Sequence, residues 1–242
     1  MTDFSKVERS VYSQNGEDGV IEELFKVIEP GPKFAVDIGA GNGKQGSNTR
    51  NLILNHGWKG LLVESDPAKA AQAHKNSADL PVTVVNAQAD PGSVEGMIDQ
   101  YKVPRDLDLV SNDIDGKDYY VWESLGFQPR VVVIEFNAGF PPPHKAVVEY
   151  SQFRVWEQDD YFGASIQSMC DLGRSLGYAL VYCESVGANL FFVQDSYLPL
   201  LCLDDNSPEA LYREPQYGSD DGRAPNGRGY PVCATSKKWI ER

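Results

Sequence analysis

The stretch Phe34-Ala35-Val36-Asp37-Ile38-Gly39-Ala40-Gly41-Asn42-Gly43 limits what this chain can fold into more than any other. A short apolar run carrying one acid gives way to glycines at every second position. That is the pattern of a buried strand breaking into a turn where backbone can approach a ligand closely. Further on, Leu61-Leu62-Val63-Glu64 repeats the theme of an apolar strand closed by an acid. An acid at the tip of a second strand is placed to take the two hydroxyls of a ribose, as in nucleotide-binding α/β sheets. The two stretches together predict a site for a nucleoside-bearing cofactor.

The rest of the chain alternates in the same sense. Helical periodicity starts at Glu17 and runs through Val20, Ile21, Leu24, Phe25 and Ile28, with Glu17 and Asp18 in the first turn, where the helix dipole favours negative charge. Taken alone, Gln14, Glu17 and Asp18 suit a capped surface helix; directly ahead of the glycine stretch, they also stand beside the site. Further helices are predicted around Leu52 and Ile53 and over 67–77, 91–101, 118–126 and 164–176, with strands at 60–64, 82–85 and 107–110 and the most β-prone run at 130–137. Five strands joined by helical crossovers imply a parallel α/β sheet with helices on both faces, whose ligands gather beyond the carboxyl ends of the strands. Asp37, Glu64, Asp113 and Glu135 all stand at such ends. Tyr178 to Cys183 and Asn189 to Val193, flanking Ser185-Val186-Gly187, read as an antiparallel hairpin. Ser47 is placed to cap the helix after the glycines, and the amides of that first turn form an anion site suited to a cofactor carboxylate or a phosphate. Asn86-Ala87-Gln88-Ala89-Asp90, after the third strand, would lie beside a base whose ribose Glu64 holds.

Residues 138–163 contain Pro141-Pro142-Pro143-His144 and the aromatics Tyr150, Phe153, Trp156, Tyr161 and Phe162, with no clear period. A segment of that length points to a lid-like insertion. Its aromatics suit either satellite core or a pocket wall for a planar or apolar acceptor. From 195 the chain turns polar, which reads as a C-terminal extension or flap, with Asp204-Asp205 and Asp220-Asp221, on a single domain spanning 1–194. No apolar run is long enough to span a bilayer, and Met1-Thr2-Asp3-Phe4-Ser5-Lys6 lacks the marks of a signal peptide. Four separated cysteines, Cys170, Cys183, Cys202 and Cys233, form no paired metal motif, so a cytoplasmic protein with free thiols is expected. A net charge of -13 opposes attraction to phosphates, which turns the expected partner from nucleic acid or membrane to a small-molecule substrate.

The glycine stretch from Asp37, the acid Glu64, the polar tip Asn86 to Asp90 and the closing hairpin together resemble a class I S-adenosylmethionine-dependent methyltransferase. Tyr12-Ser13-Gln14-Asn15-Gly16-Glu17-Asp18, Ser47-Asn48-Thr49, Asn112-Asp113-Ile114-Asp115-Gly116 and Val133-Ile134-Glu135-Phe136-Asn137 resemble its FkbM-like branch. The resemblance covers residues 11 to about 194 and implies a Rossmann-like class I methyltransferase sheet, mostly parallel with a reversed last strand. It implies that Gly39 and Gly41 pack against the methionyl part of S-adenosyl-L-methionine, that Glu64 binds ribose and that Ala87 and Gln88 flank adenine. Gln14, Asp37, Asn42, Ser47 and Thr49 complete the expected cofactor set. Acid-ended strands and glycine turns also serve NAD, and a non-catalytic cofactor-binding module acting through partners is a further reading. Two details favour the methyl donor. Asp37 is close enough to the first glycine to meet a cationic amino group, and the spacing of Gly39, Gly41 and Gly43 departs from the dinucleotide G-x-G-x-x-G.

Methyl transfer from a sulfonium asks the protein to align the acceptor and, where that acceptor is a hydroxyl, to take its proton. Asp113, at the tip of the fourth strand, is the first candidate for base or orienting group, and the imidazole of His144 is the second. Asp113, Asp115, Glu135 and Asn137 also offer four oxygen ligands for Mg2+ or calcium. In placing a metal-binding acid after strand four and further ligands after strand five, this set is similar to the catechol O-methyltransferases. The expected activity is O-methylation of a small molecule.

Overall fold

The computed structural model describes residues 3–152, 156–217 and 236–242, so Phe153, Asp220, Asp221 and Cys233 lie outside the described residues. The first helix, α1 (Glu17–Ile28), is set by its own entry loop. Asp18 accepts the backbone N–H groups of Val11, Tyr12 and Ser13 at 2.7–2.8 Å, and Ser13 Oγ in return accepts the Asp18 N–H at 3.1 Å. This exchange satisfies donors that a helix start leaves open. Glu17 and Asp18 are 1% and 2% exposed, so the first turn of α1 is buried against the domain rather than opening a surface helix.

The strands β1 (Phe34–Ile38), β2 (Lys59–Glu64), β3 (Val82–Asn86), β4 (Leu109–Asn112) and β5 (Val131–Glu135) alternate with α2 (Arg50–His56), α3 (Pro67–Asn76), α4 (Ser93–Gln100) and α5 (Asp118–Glu123). A two-residue strand, β6 (Val147–Val148), precedes α6 (Ile166–Ser175), the hairpin β7 (Tyr178–Cys183) and β8 (Asn189–Gln194), and the terminal β9 (Trp239–Ile240). The main sheet has the order β3-β2-β1-β4-β5-β8-β7. Its first five strands pair in parallel, and β8 runs antiparallel to both β5 and β7. This is the Rossmann-like, mostly parallel sheet with a reversed strand. It differs from the dinucleotide order 3-2-1-4-5-6 in inserting the last hairpin strand beside β5.

Both faces of the sheet are covered, which explains why the strand sequences are nearly all apolar. Val131 and Val133 of β5 face the core that includes Leu24, Phe25 and Trp58, whereas Val132 and Ile134 face the one around Trp122, Met169 and Phe192. Each such side chain, fully buried, contributes about 1.5–3 kcal/mol. Strand β4 begins at Leu109 rather than at the expected Leu107 because the buried Asp108 serves the opposite end of the sheet. Its carboxylate accepts from the Gly31 and Phe34 amides and pairs with Arg130 at 2.8 Å.

The described residues of 138–163 are held down from two sides. Asn137 Nδ2 donates to the carbonyls of Asp160 and Phe162, and β6 pairs antiparallel with β9. Trp239 of β9 packs edge-on against Tyr161 and Phe140, so the end of the chain fastens the insertion instead of trailing from it. Among the described residues no helix is long and apolar enough to cross a membrane.

Candidate functional site

The carboxyl ends of β1, β2, β4 and β5 converge on the glycine loop. Gly39 has φ +84°, and a Cβ there would lie 1.8 Å from the Asp113 carbonyl oxygen, so only glycine lets the tips of β1 and β4 meet this closely. Gly41 has φ +55°, but a Cβ on it would meet nothing within 4 Å, so it borders open space. Its N–H donates to Glu64 Oε2 at 2.7 Å, while Glu64 Oε1 accepts from Asp66 N, also at 2.7 Å. Glu64 therefore ties the glycine loop to β2; Oε1 also accepts from Ser65 Oγ at 3.5 Å, which leaves a lone pair on Oε2. Asp37 is 4% exposed and accepts from Ser47 Oγ at 3.0 Å and Thr49 Oγ1 at 2.7 Å. Burial raises its carboxyl above the usual range; the two hydroxyls pull it down, and the charge of Glu64 pushes it up.

Three cavities run side by side across these strand ends. The first, about 230 Å³, is walled by Gly39, Ser65, Ala87, Gln88, Ile114 and Lys117. The second, about 150 Å³, lies over Gln14, Asp37, Gly39, Gly41, Ser47 and Asp113. The third, about 220 Å³, is lined by Gln14, Asp113, Glu135, Phe162, Asn189 and Tyr217, among others. Gly39 is shared by the first pair, and Gln14 and Asp113 by the second. The three form one trough with Asp113 at the junction of its second and third parts. The insertion reaches both ends. Phe162 forms wall at one, and at the other the Gln152 carbonyl accepts from Gln88 Nε2 at 3.0 Å and from Lys117 Nζ at 2.9 Å.

Asp113, Asp115 and Glu135 each bring one carboxylate oxygen within 4.8 Å of the others. The loop carrying the first two is fixed by the buried Asp118, which accepts from Ile114 N and Gly116 N, both at 2.9 Å. Burial raises Asp113 well above the usual carboxylate range, and the charges of Asp118, Asp115, Asp37 and Glu17 push in the same direction. Glu135 is raised likewise, first by burial and then by Asp113, Asp118 and Asp115; its Oε2 is buried without a hydrogen-bond partner. Asp118 is pushed up to about 7, mainly by burial. Asp118, at about 7, can take up or pass on a proton near neutrality, and Asp113 and Glu135 hold their protons above the ordinary carboxylate range.

The trough walls include Gln14, Asp37, Gly39, Gly41, Ser47, Ala87, Gln88, Asp113 and Glu135. Other expected site residues stand elsewhere. Asn42 turns its Oδ1 back to the amides of Lys44 and Gln45, so it shapes the glycine loop from outside the trough. Thr49 is fully buried behind Asp37 and positions it. The anion site expected at the start of α2 is filled from within, because Ser47 Oγ accepts from the amides of Thr49 and Arg50 at 3.3 and 3.1 Å. Asn137 commits Nδ2 to the insertion and Oδ1 to the Gly139 amide at 2.9 Å, which removes it from the acid cluster. His144 sits on an exposed turn with Nδ1 3.0 Å from the Pro141 carbonyl, and it lines none of the three cavities. Lys117, Asn189 and Tyr217 were not expected. Lys117 follows the Asp115-Gly116 turn and pairs with Asp90, and Asn189 faces Glu135 in the β5–β8 register, a neighbour that only the reversed strand supplies.

No family model matches the chain, and no curated protein does so either. Solved structures do align. A SAM-dependent methyltransferase from Aquifex aeolicus is similar at 11% identity and TM-score 0.44, over 78% of this chain and 92% of that one. The CurJ carbon methyltransferase gives 11% and 0.49 over 76% and 56%, and the mitomycin 7-O-methyltransferase MmcR 15% and 0.41 over 73% and 55%. At these values the alignments do not bear on acceptor or chemistry, and the fold stands on the strand order itself.

Proposed function

We propose that the trough binds S-adenosyl-L-methionine and that the protein transfers its methyl group to a small molecule, most directly to a hydroxyl oxygen. The observation that carries this is the junction at Asp113. One carboxylate borders both the cavity over the glycine loop and the separate cavity beyond it, which suits a donor and an acceptor meeting at one point. In this reading adenine lies among Ala87, Gln88 and Ile114, and Glu64 offers its remaining lone pair to ribose. The buried carboxylate of Asp37, steadied by Ser47 and Thr49, faces the cationic amino group. The donor supplies an electrophilic methyl. With donor and acceptor bound, Asp113 would take the proton that the acceptor hydroxyl gives up as its oxygen receives the methyl group. Kinship with the FkbM-like branch is part of the same proposal and rests on the motifs quoted above.

NAD fits less well because a diphosphate needs free helix amides, and Ser47 already takes the Arg50 amide that opens α2 and the Thr49 amide before it. Of the expected metal ligands, Asp113, Asp115 and Glu135 keep an oxygen each within 4.8 Å of one another and could hold a cation, whereas Asn137 has spent its amide on residues 160 and 162; the methyl transfer proposed here routes no step through a metal. Calorimetry on the purified chain with S-adenosylhomocysteine and, separately, NAD tests the proposal. Binding of the homocysteine compound alone is expected; binding of NAD alone would overturn it.

A further inference from the structure

The third cavity has unusual demands. Among its described lining residues there is no lysine, arginine or histidine, while Asp113 and Glu135 both face it. Two oxygens around it are buried and unpartnered, Glu135 Oε2 and Asn189 Oδ1. The second is not a matter of how the amide is turned. Asn189 is 4% exposed and its Nδ2 donates to Glu17 Oε1 at 2.9 Å, so the nitrogen must face that carboxylate and the oxygen must face away. Glu17 is itself fixed, since its other oxygen accepts from the Asn15 amide. A buried acceptor without a donor is destabilising. The two orphaned oxygens can each accept a donor, and the repulsion among acids within 4.8 Å of one another is relieved by a positive charge between them.

We infer that the acceptor is a hydroxyl-bearing amine. Its ammonium group is held by Glu135 and Asn189, and its hydroxyl is turned to Asp113 and the methyl donor. An ammonium offers three donors and a full charge from a single small group. A neutral hydroxyl would meet the hydrogen bonds but leave the carboxylates uncompensated, and an anion would meet neither need. Phe162 and Tyr217, edge to face with ring centroids 6.2 Å apart, give the same cavity an aromatic wall compatible with a cation and with an apolar substituent. The overall charge of -13 draws cationic small molecules toward the protein.

This inference rests on the methyl-donor reading, so the test uses the full chain loaded with S-adenosylhomocysteine and measures that loading separately. Three probes share one skeleton: 2-amino-1-phenylethanol, 1-phenylethane-1,2-diol and mandelate. Titration by calorimetry should show the amine binding at least about tenfold more tightly than the diol, about 1.4 kcal/mol, with mandelate not binding. Glu135→Gln should bring the amine down to the level of the diol, while its homocysteine binding reports that the variant is folded. Equal binding of amine and diol, or tighter binding of mandelate, overturns the inference and leaves the cofactor reading intact. Displacement of the amine by MgCl2, lost in Glu135→Gln, also overturns it, because the acids would then hold a metal. Failure of S-adenosylhomocysteine to bind at all removes the cofactor reading and this inference with it.

Discussion

Alanine at Gly39 and at Gly41 separates two tasks of the glycine loop. Both residues have left-handed backbone, φ +84° and +55°, where an L side chain costs about 1–2 kcal/mol. For Gly41 that is the whole structural cost, since a Cβ there meets nothing within 4 Å. A chain of this size should lose about 2–8 °C of melting temperature. At Gly39 the added carbon falls 1.8 Å from the Asp113 carbonyl oxygen and 2.8 Å from its carbon. Neither side yields easily, because the Gly39 amide is bonded to the Val63 carbonyl and the Asp113 amide to that of Ile38. Overpacking adds about 1–3 kcal/mol to the backbone cost. Gly39→Ala should therefore melt distinctly lower than Gly41→Ala. Binding reverses the interest of the pair. Gly41→Ala projects its methyl group into the second cavity and should weaken S-adenosylhomocysteine at least about tenfold in a protein that is still folded. Equal melting of the two variants would refute the strand-tip contact as the reason for Gly39. Unchanged affinity in Gly41→Ala would refute the loop as cofactor wall.

Two further outcomes follow from the acid cluster. Asp113→Asn should lower methyl transfer to a panel of hydroxyl-bearing amines by about 10²–10⁴-fold, the usual share of a general base, with the donor still bound. In the unaltered protein the acidic limb of the rate profile should lie above the ordinary carboxylate range, because burial and neighbouring acids keep Asp113 protonated there; full turnover in the variant would contradict the assignment. Stability should also depend on pH in a defined direction. Asp118 is raised from 3.8 to about 7, so the folded chain holds a proton that the unfolded chain has lost, and the stabilising contribution present at low pH is lost as pH rises through about 7. Melting scans across that window should show a fall, and a rise would count against the burial argument.

The sheet was legible because β1, β2, β4 and β5 are buried on both faces and acids and glycines stand at their carboxyl ends. Asp37, Glu64, Asp113 and Glu135 could be placed at one rim from their positions alone. What the sequence could not show is where side chains spend their hydrogen bonds. Ser47 looked like a cap that would leave free amides, yet its hydroxyl takes those amides itself. Asn137 looked like a ligand beside Glu135, but a distant part of the insertion claims its amide. Asn189 enters the site only because β8 is reversed against β5, a pairing between residues far apart in sequence. Such long-range pairings leave no local period to read.

The most direct measurement is a crystal structure of the chain with S-adenosylhomocysteine. The account predicts adenine between Ala87 and Ile114, ribose hydroxyls at Glu64, the amino group at Asp37 and the sulfur directed toward Asp113, with the cavity beyond still open. A nucleoside bound away from the glycine loop, or a sulfur turned from Asp113, would contradict it.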